Sequence, residues 1–115
     1  MKPKFEDVER EIRRLAHEHP DRKTHPQYTK SSGEPCCIFG HALNNLGVPI
    51  ATLIEFDRQN EDGFGELPEV AAGDTLSPDS RREDRMWANE VQLSQDLGAT
   101  WGEAVDKADR RFGRG

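Results

Sequence analysis

The sequence lacks long apolar runs, an excess of positive charge and separated cysteine pairs. Of its 115 residues, 33% are hydrophobic, 7% are aromatic and another 33% are charged. Because no apolar stretch approaches membrane-spanning length, we expect no membrane partner. The residues after Met1 are charged rather than apolar, which is not the pattern of a secretory signal, so we predict a cytoplasmic protein.

The cysteine content excludes a disulfide scaffold. The only two cysteines, Cys36 and Cys37, are adjacent. Vicinal cysteines seldom bridge to each other because their side chains diverge. We therefore predict two free thiols in a reducing compartment.

Negative charge is in excess and is unevenly placed. The net charge is -6, and residues 36–79 carry eight acidic residues against one basic residue. Nucleic-acid binding normally needs a basic face, so this balance argues against a nucleic-acid partner. We predict a long acidic surface loop at about residues 58–78, which suits a basic protein partner.

Apolar residues recur at helical spacing in the first half of the chain. Residues 5–18 carry an apolar side chain every three or four positions, and Pro20 follows them, which predicts an amphipathic helix that ends before the proline. Residues 36–46 predict a short buried helix, with Gly47 in the left-handed position after its C-terminus. Pro49 predicts the start of another short helix.

Two further amphipathic helices are predicted near the end of the chain. Ser80 with Glu83, and Thr100 with Glu103, match the capping-box pattern of a helix start. Gly98 is expected to separate the two helices. The first helix is marked by Met86, Trp87, Val91 and Leu97, and the second presents Trp101, Ala104, Val105, Ala108 and Phe112 on one face.

Together these elements predict one domain over residues 1–115 with a mainly α fold. We expect a bundle of four or five helices, with at most one short β-hairpin around the turn that contains Gly33. The helix at residues 36–46 is expected to be the core that the first and last helices cover.

Metal binding is one hypothesis for the histidines and cysteines. A structural zinc site usually has two separated ligand pairs, whereas here the thiols are adjacent and two of the histidines project to different sides of a helix. We therefore predict no metal site and no cofactor. The residues considered are His17, His19, His25, Cys36, Cys37 and His41.

The acidic segment also has a partial likeness to a calcium loop. Asn60, Asp62, Gly63 and Glu69 occupy four positions of an EF-hand loop. Arg58, however, stands where the first carboxylate ligand belongs. We therefore favour a solvated acidic loop over a calcium site.

Cys37 and His41 are weak catalytic candidates. They lie four residues apart on one predicted helical face, and a thiolate beside an imidazole near a helix N-terminus can have a lowered pKa. No motif supplies the third group that would orient the histidine. We therefore assign no catalytic residue, and a small cysteine/histidine enzyme or metalloprotein stays as an alternative.

Gln92, Gln95, Asp96 and Trp101 are the candidate binding residues. They cluster where one predicted helix ends and the next begins. In one interpretation they line a binding groove. In the other, which we favour, they hydrogen-bond a neighbouring helix terminus and hold the two-helix corner together.

Two segments carry a resemblance to known proteins. Residues 37–48 contain the pattern Cys-x-x-Gly-x-Ala-Leu, and residues 91–105 contain Gln-Asp-x-Gly-x-x-Trp-x-x-Ala. In both, the chain resembles a family of small uncharacterised proteins of actinobacteria and their bacteriophages. This family has no assigned activity, so the resemblance implies an actinobacterial or phage origin and leaves the function open.

Our favoured hypothesis is a non-enzymatic cytoplasmic accessory factor, monomeric or homodimeric, that binds a protein partner. In one form of this hypothesis the protein is phage-encoded and acts on a host protein. The contact surface would be the acidic loop or the groove near Gln95 and Trp101. A DNA-binding regulator is a further alternative, and it requires one basic face formed by Arg81, Arg82, Arg85, Arg110 and Arg111.

Overall fold

The computed structural model describes residues 2–24, 28–30, 32–61 and 72–114. The helices are α1 (Phe5–Glu18), α2 (Ile38–Asn45), α3 (Ile50–Glu61), a 3₁₀ helix (Ala72–Thr75), α4 (Arg82–Asp96) and α5 (Trp101–Phe112). These five α-helices of the described ranges confirm the predicted mainly α bundle. None of the helices described is long and apolar enough to cross a membrane.

The predicted β-hairpin is reduced to a single bridge. Thr29 and Pro35 form an isolated antiparallel bridge, and Gly33 in the turn between them has a φ of 87°. Lys30 N donates to Glu34 O at 2.7 Å, as in a hairpin. Pro35 has no N–H to continue a ladder, so the pairing does not extend into strands among the residues described.

Helix α1 has the predicted bounds. Its apolar residues recur every three or four positions, so they form one stripe that faces the core. The helix ends at Glu18. Pro20 follows at close range, and a proline ring hinders the residue before it from adopting the helical conformation. Its buried residues are Phe5, Val8, Ile12, Leu15 and Ala16.

Helix α2 is shorter than the predicted segment because Cys37 caps it instead of lying inside it. The Sγ atom of Cys37 accepts a hydrogen bond from the N–H of Gly40 at 3.3 Å. A Cβ atom at Gly40 would overlap the carbonyl oxygen of Tyr28, so glycine lets this loop lie directly on the helix. Gly47 has a φ of 99° and confirms the predicted left-handed position.

Helix α3 begins after Pro49, as predicted, and extends further than predicted. It continues to Glu61, and an ion pair of 3.5 Å between Glu55 and Arg58 lies along its surface. Pairs at this spacing stabilise a helix. The predicted loop at residues 58–78 therefore begins in helical residues and contains the 3₁₀ helix Ala72–Thr75, and its central part, 62–71, lies outside the described residues.

Helix α4 has its N-cap one residue later than the predicted cap, Ser80. Its N-cap is Arg81, whose backbone N–H donates to the Asp84 carboxylate at 3.3 Å. Asp84 therefore has the role that was predicted for Glu83. The capping box predicted from Ser80 is wrong by one position, because Asp84 and Glu83 both fit the first turn and only the backbone path decides between them.

Helix α5 begins with the predicted capping box. Glu103 N donates to Thr100 Oγ1 at 3.1 Å, and Thr100 N donates to Glu103 Oε1 at 3.1 Å. Gly98, with a φ of 105°, lies in the turn after α4. Helix α5 packs against α4 and α1, and α1 also packs against α2. The buried residues of α5 are Trp101, Ala104, Val105 and Ala108.

An ionic network joins α1, α4 and α5 around the buried Trp87. Asp109 accepts two hydrogen bonds from Arg13, both 2.8 Å long, and one from Trp87 Nε1 at 3.0 Å. The Arg13 guanidinium lies 5.2 Å from the centre of the Trp87 ring and donates to Glu9 at 2.9 Å. Every group in this network has a partner, so it fixes the relative positions of the three helices.

Candidate functional site

Gln95 connects three parts of the chain from a fully buried position. Its side chain is 1% exposed, and its Oε1 accepts from Ile38 N at 2.8 Å and from Thr24 Oγ1 at 3.1 Å. The Ile38 N–H belongs to the first turn of α2, whose N–H groups have no partner inside the helix. Gln95 therefore satisfies a neighbouring helix terminus, which is the interpretation favoured from the sequence.

Trp101 is the second fixed point of this region. Its ring is fully buried, and its Nε1 donates to Thr24 Oγ1 at 3.3 Å. Thr24 donates in turn to Gln95, so the three side chains form one hydrogen-bonded relay. Trp101 N also donates to Arg22 O at 2.9 Å, which holds the chain that follows α1 against the start of α5.

Gln92 contacts the loop that precedes α2. Its Nε2 donates to the hydroxyl of Tyr28 at 2.9 Å, and the ring of Tyr28 is 1% exposed. Burial raises the pKa of Tyr28 well above its usual value. Asp57 on α3 accepts from the backbone N–H groups of Tyr28 and Thr29, both at 2.8 Å, and from the Thr29 hydroxyl at 2.6 Å.

Asp96 is the most strongly perturbed carboxylate of the candidate residues. It is partly buried and accepts a hydrogen bond of 3.0 Å from Gln95 Nε2. Burial raises its pKa from 3.8 to about 7, although the bond from Gln95 lowers it. Asp96 therefore changes its charge near neutral pH, unlike an exposed aspartate.

Cys37 is held in its protonated form. The thiol is 2% exposed and is used as the cap of α2. Burial raises its pKa far above the usual value, although hydrogen bonds from the backbone of Gly40 and Phe39 lower it. This shift is opposite to the one that the cysteine-enzyme alternative needs, because the thiolate is the nucleophile. The predicted free state of both cysteines is confirmed, and both are buried.

His41 contacts Trp101 and has an unsatisfied ring nitrogen. Its ring centre lies 5.3 Å from that of Trp101 in an edge-on arrangement. The Nε2 atom is buried and has no hydrogen-bond partner in the part of the chain that the structure describes. Burial lowers the pKa of His41, and the nearby Arg22, Lys30 and His19 lower it further.

The structure brings no metal-binding group together among its described residues. No three of the His, Cys, Asp and Glu side chains described are placed to hold an ion. His25 lies outside the described residues, as do Asp62, Gly63 and Glu69 of the calcium-loop comparison.

The arginines required by the DNA-binding alternative are partly engaged elsewhere. Arg111 pairs with Glu90 at 3.3 Å, and Arg110 pairs with Asp106. Arg85 donates to the carbonyl oxygen of Pro78 at 2.8 Å. Three of the five arginines are therefore paired with groups of the protein itself.

One face of α4 exposes large apolar side chains. Met86 and Leu93 are each 39% exposed, and Leu97, just after the helix, is 77% exposed. Residues spaced by seven and four positions lie on the same side of a helix. Of the four apolar residues that mark this helix in the sequence, Met86 and Leu97 are therefore exposed, whereas Trp87 and Val91 lie on another side of the helix and fill the core.

Comparison with family models, with curated proteins and with solved structures found no match. Of the residues that form this region, the sequence singled out Gln92, Gln95, Asp96 and Trp101 and missed Arg22, Thr24, Tyr28 and Asp57. The one available signal was Tyr28, the only tyrosine of the chain, in an otherwise polar segment.

Proposed function

We propose that the protein is a non-enzymatic accessory factor that binds a protein partner through the exposed apolar face of α4. We define this face by Met86, Leu93 and Leu97, and its C-terminal end adjoins Gln95 and Asp96. The observation that carries the proposal is the exposure of these side chains, 77% for Leu97, whereas most other apolar side chains that the structure describes are buried. Contiguous exposed apolar surface marks sites of protein association.

The other contacts of the region favour binding over catalysis. The Cys37 thiol is buried and protonated, and the Gln95 amide and the Trp101 indole are fully buried and hydrogen-bonded to the protein. Such groups hold a surface in a fixed shape and do not contact a substrate. A rigid scaffold beneath an apolar face lowers the entropy cost of association.

The resemblance to actinobacterial and phage proteins directs the choice of partner. We propose that the partner is a protein of an actinobacterial host, and that the encounter takes place in the cytoplasm. Because the net charge of the chain is -6, a partner with a basic rim around its apolar contact would associate faster.

The test is affinity capture from an actinobacterial lysate with three purified proteins. Leu93→Asp/Leu97→Asp disrupts the apolar face, and Ile54→Asp is the matched control, because Ile54 on α3 is also 39% exposed. We expect wild type and Ile54→Asp to retain the same partner and the double variant to lose it by at least about tenfold, with unchanged thermal unfolding. Capture of the same proteins by the wild type and by both variants would contradict the proposal.

A further inference from the structure

Two arginines lie over the two tryptophan rings of the protein, and their surroundings differ. The guanidinium of Arg13 is 5.2 Å from the ring centre of Trp87, and that of Arg22 is 5.0 Å from the ring centre of Trp101. Arg13 is neutralised by Glu9 and Asp109. Arg22 has no carboxylate partner within the ranges that the structure describes, which leaves its hydrogen-bond donors free for another anion.

The groups around His41 are also basic. Arg22, Lys30 and His19 are the charged or titratable groups that lower its pKa, and among the described residues the one carboxylate paired with them is the exposed Glu34, 4.0 Å from Lys30. His19 and His41 both meet the ring of Trp101 edge-on, at 6.2 Å and 5.3 Å between ring centres. A local basic group in a chain of net charge -6 departs from the overall charge distribution.

His41, whose ring contacts Trp101, also has an unsatisfied nitrogen. A buried polar atom without a hydrogen bond is destabilising by about 1–3 kcal/mol, so such atoms usually have a partner. The Nε2 atom of His41 has no hydrogen-bond partner among the residues described. The Trp101 ring, against which His41 packs, is itself hydrogen-bonded to Thr24. A negatively charged acceptor near His41 would satisfy the Nε2 atom and pair with Arg22, which has no carboxylate partner in the described ranges.

We propose that Arg22, Lys30 and His41 bind a phosphate-type oxyanion beside the ring of Trp101. The planar guanidinium of Arg22 matches two phosphate oxygens at once, and Lys30 adds a point charge. His41 donates its Nε2–H to a third oxygen. The site takes a phosphate group carried by a small molecule, and it is independent of the apolar face of α4.

The first test is a titration with inorganic phosphate. Binding is monitored through the histidine ring signals in NMR spectra. Ionic strength is held constant with sodium chloride. We expect the His41 signals to shift saturably and the pKa of His41 to rise when phosphate is bound, because an anion favours the imidazolium. Binding should accordingly tighten as the pH is lowered. The exposed His17 in the last turn of α1 is the internal reference and should not shift saturably.

Charge variants separate a site from general screening. Arg22→Gln should weaken phosphate binding by about tenfold and Lys30→Gln by about threefold, whereas Lys107→Gln, an exposed cation on α5, should leave it unchanged. Because Arg22 holds Trp101 through its backbone carbonyl, the Arg22→Gln variant should keep its fold, which the Trp101 indole signal checks. A linear response at His41, or equal affinity in Arg22→Gln and wild type, would overturn the proposal.

Discussion

The two buried tryptophans occupy opposite kinds of environment. Trp87 lies where α1, α4 and α5 meet, and its indole donates to an aspartate that two further hydrogen bonds from Arg13 neutralise. Trp101 lies where α5 meets α2 and the chain after α1, and its indole donates to a neutral threonine. Both rings are fully buried and both have an arginine over them.

From this difference we infer that the Trp87 side supports the fold and that the Trp101 side recognises a ligand. Around Trp87 the charges cancel within the protein, so this side holds the helices together. Around Trp101 the Arg22 guanidinium has no carboxylate partner and His41 Nε2 has no hydrogen-bond partner in the described ranges. Asp96, which accepts from Gln95, titrates near neutral pH. Groups that are left unsatisfied or shifted in pKa concentrate at functional sites.

The largest effect is expected on the Trp87 side. Asp109→Ala removes the anion that Arg13 and Trp87 share, and the side chain of Asp109 is only 15% exposed. We expect a loss of about 3 kcal/mol in the free energy of unfolding, measured by urea denaturation, because a partly buried pair loses one partner and the Trp87 indole loses its acceptor. The control is Asp106→Ala on the same helix, whose exposed pair with Arg110 should contribute less than about 0.5 kcal/mol. Equal losses would contradict the special role of Asp109.

On the Trp101 side the largest effect should come from Gln95→Met. Methionine has a similar length but leaves Ile38 N–H and the Thr24 hydroxyl without their acceptor. We expect a loss of about 2 kcal/mol in the free energy of unfolding. Thr24→Val, which leaves the Ile38 bond intact, should lose only about 1 kcal/mol. A smaller loss for Gln95→Met than for Thr24→Val would refute the central position of Gln95.

Asp96→Asn should change how stability depends on pH. The folded pKa of Asp96 is about 7 and its ordinary value is 3.8. Between these values the folded state binds the proton more tightly, so the free energy of unfolding falls as the pH rises from about 4 to about 7. Asp96→Asn removes this fall, and its stability relative to wild type should therefore increase with pH. The stability of both proteins is measured by thermal melts at several pH values in this range. A stability difference that does not change with pH would contradict the raised pKa.

The opposite sign is expected from His41. Its pKa is lowered in the folded state, so its neutral form is favoured and stability falls as the pH drops below 6.5. Because wild type and Asp96→Asn share His41, the comparison between them cancels this contribution.

The smallest effects concern the cap of α2. Cys37→Ala removes the acceptor of the Gly40 N–H and should lose about 1 kcal/mol, as other N-cap deletions do. Cys37→Ser should lie within about 0.5 kcal/mol of wild type in urea denaturation, because serine is a favoured N-cap of similar size. Equal losses in both variants would show that the volume of the sulfur, and not its hydrogen bond, is what matters.

The sequence predicted the local features well because they depend on neighbouring residues. The bounds of α1, the capping box of Thr100 and Glu103 and the left-handed Gly47 follow from spacing and turn chemistry. The Gln95 contact with a helix terminus was also among the predictions. Which helix it reaches was not, because that choice depends on long-range packing.

The remaining features depend on groups far apart in the chain. Asp109 meets Arg13 across 96 residues, and its sequence neighbours resemble any exposed helix surface. Apolar residues lie on more than one side of α4, so their spacing alone does not show that Met86 and Leu97 are exposed. Only the packing of Trp87 and Val91 decides which side is buried.

The most direct test of the contrast between the two sides is hydrogen exchange at the two indole N–H groups. The chain has only two tryptophans, so each gives one resolvable NMR signal. We expect the Trp87 indole to exchange only through global unfolding, and the Trp101 indole to exchange at least about tenfold faster through local opening. Added phosphate should slow Trp101 alone. Equal rates for both indoles, each matching global unfolding, would contradict the division into a supporting side and a recognition side.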